Sequence, residues 1–313
     1  MKICIIGLGS IGKKHLGNIR TVLSKSGITV QADALRSSGE RTQEDRQYDL
    51  SAVYYSYDEL PSDYDVIFVT NPTSAHFETI RRVASKTKHL FIEKPLFHNT
   101  DCKTSDLGLK NGGVYYVACP LRYKSVMQRA KEIVSKERIY AVRAICSSYL
   151  PDWRKNVDYR KVYSARRELG GGVVLDLIHE WDYLIWLFGR PEEVTMMQGT
   201  YSELAIDTED LAVYLARYPD KLVELHLDYF GRRSVRTLEL YCRENTITID
   251  ILSNRIVWSN TKVIKEEALP DNDFYLDEMN NFLDMVLLGT PNENSIEWAY
   301  DTLRIAKGEL QKA

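Results

Sequence analysis

At 313 residues the chain is long enough for two domains of ordinary size, each with its own core, and too long for one small domain. Lys plus Arg number 41 against 44 Asp plus Glu, a formal charge of −3, so no global basic field advertises nucleic acid or an anionic membrane, and a small molecule is the expected partner. The five cysteines (Cys4, Cys102, Cys119, Cys146, Cys242) stand singly without a CxxC pair, which argues against a disulfide scaffold and fits reduced thiols. The apolar run before Gly7 is too short for a signal-peptide core, and no run approaches the ~20 residues of a membrane helix. A cytoplasmic protein with no metal requirement is expected.

Along the first 120 residues, strand-like apolar runs alternate with helix-like segments: Lys2 to Ile6, Ile28 to Leu35, Asp65 to Thr70, His89 to Ile92 and Val114 to Ala118 supply the strands. That alternation implies βαβ units and a parallel sheet. A helix of about 15 residues after Pro120 leads into a β-rich half. Its strands are Tyr140 to Leu150, Glu193 to Tyr201, Leu211 to Tyr218, Leu222 to Tyr229, Val235 to Cys242, Thr246 to Ile251 and Arg255 to Trp258. Short links between consecutive strands mean a mainly antiparallel sheet. Two helices, Asp273 to Leu288 and Ser295 to Lys312, close the chain. The expected organisation is therefore an α/β chain with a dinucleotide-binding domain over 1–120 and a substrate-binding and oligomerisation domain over 121–313.

Gly7, Gly9 and Gly12 form GxGxxG directly after a strand and before a helix, the context the motif needs. Gly7 permits a tight turn, Gly9 lets backbone approach a pyrophosphate, Gly12 allows close helix–strand packing, and the helix N-terminus offers unpaired N–H groups. His15, on the same helix, reads as a packing residue. The second strand is expected to end in Leu35-Arg36-Ser37-Ser38, and an Arg there accommodates a 2′-phosphate, so NADP(H) is favoured over NAD(H). Asp33 is the competing ribose reader if the strand stops earlier.

Further strand ends carry Thr70-Asn71-Pro72-Thr73, followed by a helix with His76, and Glu93-Lys94-Pro95 after His89 to Ile92. In an open α/β sheet ligands sit outside the carboxyl ends of the strands, which makes Lys94 a site candidate. Three glycines, Gly170 to Gly172, then precede a helix expected to run unbroken from Val173 to Phe188. At about 100° per residue, Val174, Leu177, Ile178, Trp181, Leu184, Ile185 and Phe188 form its core stripe, with Asp176, His179, Tyr183 and Trp186 opposite as a pocket wall. The glycines read as backbone coming close to nicotinamide or substrate. An imidazole is the natural proton carrier for hydride transfer to or from a carbinol. The stretches Tyr149 to Arg154 and Asp158 to Arg160 interleave aromatics with Arg, as a sugar or phosphorylated-sugar pocket needs.

Taken together, the glycine turn, Thr70-Asn71-Pro72, Glu93-Lys94-Pro95 and the glycine-led helix with His179 resemble the Gfo/Idh/MocA oxidoreductases, over essentially the whole chain. The resemblance implies an N-terminal Rossmann domain and a C-terminal α/β domain whose open sheet often serves in oligomerisation, hence a homodimer or homotetramer. It also implies a sugar, cyclitol or nucleotide-sugar as substrate. The expected cofactor residues are Gly7, Gly9, Ser10, Ile11, Gly12, Arg36, Ser37, Asn71, Pro72, His76, Glu93 and Lys94. The substrate residues are Lys94, Arg122, Trp153, Arg154, Tyr159, Arg160, Asp176 and His179. By the resemblance Lys94 contacts the reacting oxygen, His179 is the general acid/base and Asp176 supports it, while Pro95 follows a cis bond in relatives. Relatives usually space the acid and histidine as DxxxH, whereas this chain has DxxH, with Leu175 four before His179. An NAD-dependent glycosidase of the same family and a non-catalytic dinucleotide sensor are the rival readings.

Overall fold

The computed structural model describes residues 1–37 and 47–310, so Ser38 and Lys312 lie outside the described residues; the closing helix, expected over Ser295 to Lys312, runs over Ile296–Ala306 and ends there. Two compact units divide the chain, the first built from Met1–Ala118 with Tyr275–Tyr300 and the second from Cys119–Phe274 with the residues from Asp301 on. Among the described residues no helix is long and apolar enough to cross a membrane.

The first unit holds a six-stranded parallel sheet in the order β3-β2-β1-β4-β5-β6. Its strands are β1 Lys2–Ile6, β2 Gln31–Leu35, β3 Ala52–Tyr54, β4 Tyr64–Val69, β5 Thr87–Ile92 and β6 Tyr115–Val117. Parallel strands covered on both faces read as continuous apolar runs, which is why Ile3 to Ile6, Val66 to Val69 and Leu90 to Ile92 are all buried. Helices α1 Ser10–Lys25 and α2 His76–Val83 follow β1 and β4. A later helix, Phe274–Leu288, sends Phe282 edge-on to Phe91 at 5.2 Å, and Tyr116 donates to its Glu278 at 3.0 Å. The short strand β3 carries no run long enough to stand out in the sequence.

The second unit opens with α3 Ser125–Val134, ten residues where about 15 were expected, and contains an eight-stranded sheet. Its strands are β7 Ile139–Tyr149, β8 Glu193–Gly199, β9 Leu211–Arg217, β10 Leu222–Asp228, β11 Phe230–Cys242, β12 Thr246–Asp250, β13 Arg255–Ser259 and β14 Ile264–Ala268. The order is β14-β13-β12-β11-β7-β10-β9-β8, antiparallel except for the parallel pair β7 and β10. Burial alternates along β9, with Ala212, Tyr214 and Ala216 on the core face and Val213 and Leu215 exposed, the pattern of a sheet covered on one side.

The helix expected over 173–188 is broken in two, α4 Val173–Asp176 and α5 His179–Phe188. Leu177 leaves the helical region at φ −96°, ψ 23°, and the ladder tightens there: Leu177 still bonds back four residues to Val173, but Ile178 and Glu180 bond back three, to Leu175 and Leu177. The tighter turn shifts the phase of everything after it. Tyr183, expected on a pocket wall, is instead fully buried and donates to Glu180 at 2.6 Å. Burial, and then the charge of Glu180, pushes its phenol far above the ordinary range.

Two ion pairs anchor α5. Glu180, fully buried, faces Arg236 of β11 at 2.9 Å, in ion-pair contact but off hydrogen-bond alignment. Asp182 receives Arg122 bidentately, Nε to Oδ2 at 2.9 Å and Nη2 to Oδ1 at 2.6 Å. Arg122, expected on the substrate, is thus corrected to a structural role: it is 2% exposed and its guanidinium fork is engaged by a carboxylate of its own unit. Removing one member of a buried pair strands the other charge. Arg122→Ala is therefore expected to cost about 3–5 kcal/mol, read as a lower urea midpoint by circular dichroism. Arg122→Met with Asp182→Leu should recover most of that loss, and an unchanged midpoint for the single variant would remove this pair from the supports of the fold.

Candidate active site

In the first unit, Ile6 is in register with Val69 and Val69 with Ile92, so the residues that follow, Gly7, Thr70 and Glu93, lie along one carboxyl edge. Backbone bonds tie the edge together: Gly7 N–H to Leu35 O, Thr70 N–H to Ile6 O, and Glu93 N–H to Val69 O. Thr70 Oγ1 also donates to Ile6 O at 2.9 Å and Gly7 O at 2.8 Å. Because β1 lies between β2 and β4 where the strand order reverses, this edge is the switch point at which open α/β sheets bind ligands.

The three motif glycines answer to different neighbours. Gly7 has φ +90°, and a Cβ there would meet Asn71 Cα at 2.7 Å. At Gly12 a Cβ would meet Gly7 O at 2.5 Å and Thr70 Oγ1 at 2.8 Å, so the helix could not approach the strand. A Cβ at Gly9 would meet nothing within 4 Å. Among the described residues no steric contact requires Gly9 to be a glycine, so the backbone there stays open to a close approach. Gly9 is also the N-cap of α1 with no side-chain cap, and the first turn, with exposed Ser10 and half-buried Ile11, carries no acid. The open N-terminus and the bare Gly9 fit a dinucleotide pyrophosphate.

Arg36 directly follows β2, its N–H bonded to Tyr54 O, with exposed Ser37 next. Asp33 lies mid-strand, 2% exposed, and accepts from Tyr64 at 2.8 Å, so the acid that competed for the ribose is turned into the core. Asn71 is half-buried and donates to Thr79 Oγ1 at 2.8 Å; Pro72 beside it is exposed. His76 is corrected from a cofactor ligand to a brace between loops. It is 1% exposed, with Nε2 3.0 Å from Asn71 O and Nδ1 3.1 Å from both Pro95 O and Leu96 O. Burial lowers its pKa despite those carbonyls. Lys94 is half-buried and the Lys94–Pro95 bond is cis, as the family likeness implied. Glu93 is turned toward α1, where Oε1 meets His15 Nε2 at 2.5 Å, while Oε2 accepts from Lys94 N–H at 3.2 Å.

In the second unit, Asp176 and His179 remain half-exposed in a stretch that is otherwise buried from Val173 to Ile185. Asp176 Oδ2 accepts from Ser164 Oγ and from Tyr229 OH, the latter at 3.2 Å. Burial and the adjacent Asp176 charge push the Tyr229 phenol well above its ordinary range, so it remains a donor. Trp153 packs edge-on against Tyr229 at 5.3 Å and donates to Ser148 Oγ at 2.9 Å. Together with Arg154, Tyr159 and Ser164, Trp153 lines a shallow hollow. Tyr159 also accepts from Ala205 N–H at 3.1 Å, and Arg160 is held bidentately by Asp158, at 2.8 and 2.9 Å.

The glycine run is corrected too: a Cβ at Gly171 would collide with Tyr163 O, and one at Gly172, φ +110°, would collide with the Glu209 carboxylate. The close approach is to the chain itself. Ser164, Tyr229 and Glu209 carry no motif, and their partners lie 12 to 53 residues away in sequence, so local reading had no signal for them.

A family profile described as the oxidoreductase family with an NAD-binding Rossmann fold matches residues 1–114, and one described as a GFO/IDH/MocA C-terminal domain matches 127–248. The chain belongs to the GFO/IDH/MocA oxidoreductase family. It is 28% identical over 199 residues to an uncharacterized oxidoreductase, YrbE, of Bacillus subtilis, a match covering 61% of this chain and only 54% of that relative. To the myo-inositol 2-dehydrogenase of Thermotoga maritima it is 24% identical over 328 residues, covering 93% of this chain and 90% of that one. A solved levoglucosan dehydrogenase in complex with NADH and levoglucosan has the same fold, with a TM-score of 0.83 at 16% identity, covering 98% of this chain and 95% of that one.

The contrast between the glycines can be measured. Gly9→Ala should leave the melting temperature within a few degrees, since nothing in the protein lies within 4 Å of the added methyl group, while weakening NAD(P)H binding at least about tenfold in a fluorescence titration. Gly12→Ala should lower the melting temperature itself by several degrees, as overpacking does. Equal melting losses for the two would remove Gly9 from the ligand-facing role.

Proposed function

We propose that the chain is an NADP(H)-dependent oxidoreductase that moves a hydride between nicotinamide and a carbinol or carbonyl carbon of a sugar, cyclitol or nucleotide-sugar. The single observation that carries the reading is Gly9, a glycine that no described neighbour demands, at the uncapped start of α1 on the switch-point edge. Arg36 at the end of β2, with Asp33 committed to Tyr64, supports the phosphorylated cofactor. The nicotinamide supplies the hydride acceptor or donor. The chain's own residues handle the proton: Lys94 donates to the reacting oxygen through its ammonium, and the His179 imidazole takes the hydroxyl proton on oxidation and returns it on reduction. Asp176, held by two hydroxyl donors, orients that imidazole. Trp153, Arg154 and Tyr159 receive the sugar, the aromatic faces against its carbons and the guanidinium on its oxygens. The relatives named for myo-inositol and levoglucosan support a polyhydroxylated ring as the substrate class.

Lys94→Ala and His179→Ala are each expected to lower kcat by about 10²–10⁴ while NADPH still binds. Near-normal turnover in either would remove that residue from the mechanism. Arg36→Asp should weaken NADPH relative to NADH by about tenfold or more, as loss of a charge-assisted bond does, and an unchanged ratio would take Arg36 away from the 2′-phosphate. If the purified protein released the phenol from aryl glycosides with no net NADPH consumption on any ketosugar, the glycosidase reading would replace this one.

A further inference from the structure

The GxGxxG turn and the Glu93-Lys94-Pro95 loop are separate motifs in the sequence, and the fold joins them through a side chain that neither function absorbs. His15 lies on α1 three residues after Gly12 and is fully buried. Its ring is set among Phe91, Phe68 and Tyr275, with centroids 4.6, 6.1 and 6.4 Å away. Tyr275 is itself capped by the Lys14 ammonium at 3.4 Å from the ring centre. His15 Nε2 meets Glu93 Oε1 at 2.5 Å, and among the described residues its buried Nδ1 has no hydrogen-bond partner. The other Glu93 oxygen accepts from the N–H of Lys94. Burial opposes a charge on Glu93, yet the hydrogen bond and charge of His15, with Lys94 adjacent, hold its carboxyl below the usual range. A charge-assisted bond in a dry aromatic setting is stronger and geometrically stricter than one at the surface.

We propose that His15 and Glu93 are a positioning pair that fixes the Lys94 loop to the helix of the glycine turn, and that Glu93 acts through this pair rather than as a ligand of the cofactor. The Glu93 carboxylate has one oxygen on each side of the joint: Oε1 on a helix whose start receives phosphate, Oε2 on the amide of the residue that handles the substrate oxygen. The pair therefore gives Lys94 a fixed backbone origin relative to the bound dinucleotide, the preorganisation that hydride and proton transfer require. Its value rests on the role proposed for Lys94, but its test does not.

Amide hydrogen exchange of the peptide spanning 91–97 is followed by mass spectrometry in the cofactor-free protein, alongside NADPH affinity by fluorescence and the urea midpoint. His15→Ala and Glu93→Ala should each raise exchange in that peptide at least tenfold, the double variant should add nothing further, and NADPH affinity should stay within threefold of the parent. His15→Gln, which keeps a donor, should restore most of the protection that His15→Ala loses, and Glu93→Gln serves if the alanine variants fail to fold. Unchanged exchange in His15→Ala and His15→Gln would overturn the pair. So would an NADPH affinity lowered more than tenfold in either single variant, because Glu93 or His15 would then serve the cofactor directly. None of the three readouts uses turnover of a sugar substrate, so loss of the oxidoreductase reading and loss of the pair give different results.

Discussion

Ile6 lies beside Val69 and Val69 beside Ile92, and this register of three parallel strands is the constraint on which the rest of the first unit depends. Both faces of these strands are buried, so a slip of one residue would pass every side chain to the opposite face, where the Ile, Val and Phe set would meet the wrong neighbours; close packing on the two faces holds the register in place. Once it is held, the glycine turn, the Thr70 hydroxyl that ties it down, and the carboxylate of Glu93 fall on one edge. The chemistry expected there follows from the sheet, since no loop of its own could keep those groups in line.

Buried charge does comparable work in the second unit by different means. Glu180 and Asp182 on one short helix are each met by an arginine, from β11 and from the residues before α3. Such pairs add little net stability compared with apolar packing, but breaking one is costly, so they resist any rotation of α5. His179 begins that helix, and its exposure is set by a helix that cannot turn without stranding two carboxylates. Asp176, on the preceding short turn, is steadied separately by Ser164 and Tyr229, which gives the DxxH spacing a well-held acid even though Leu175 occupies the position four before the histidine.

Several side chains that read as ligand-binding in the sequence instead serve the fold. Arg122 holds Asp182, His76 braces three carbonyls of two loops, and the glycines before α4 make room for Glu209 and for the carbonyls of Tyr163 and Ser164. The proposed chemistry then falls to Lys94, His179 and the Trp153 hollow, together with the backbone at Gly9.

Features encoded over a few neighbouring residues were legible in the chain alone. All strands of the two sheets but β3 and β14, the GxGxxG turn, the strand-end lysine and the half-exposure of Asp176 and His179 follow from local patterning and from periods of two or 3.6 residues, while the cis bond before Pro95 came from the family resemblance. The break at Leu177 was not legible, because whether a ladder bonds back three or four residues there depends on what packs beneath it, and it moved Tyr183 from an expected pocket wall into the core. The partners of Arg122, Glu93, Asp33 and Asp176 were equally hidden, being 60, 78, 31 and 53 residues away along the chain. A charged side chain can be seen in the sequence, but whether it faces a ligand or a buried counter-charge is decided only when distant strands and helices close around it, since burial makes an unpaired charge too costly to leave.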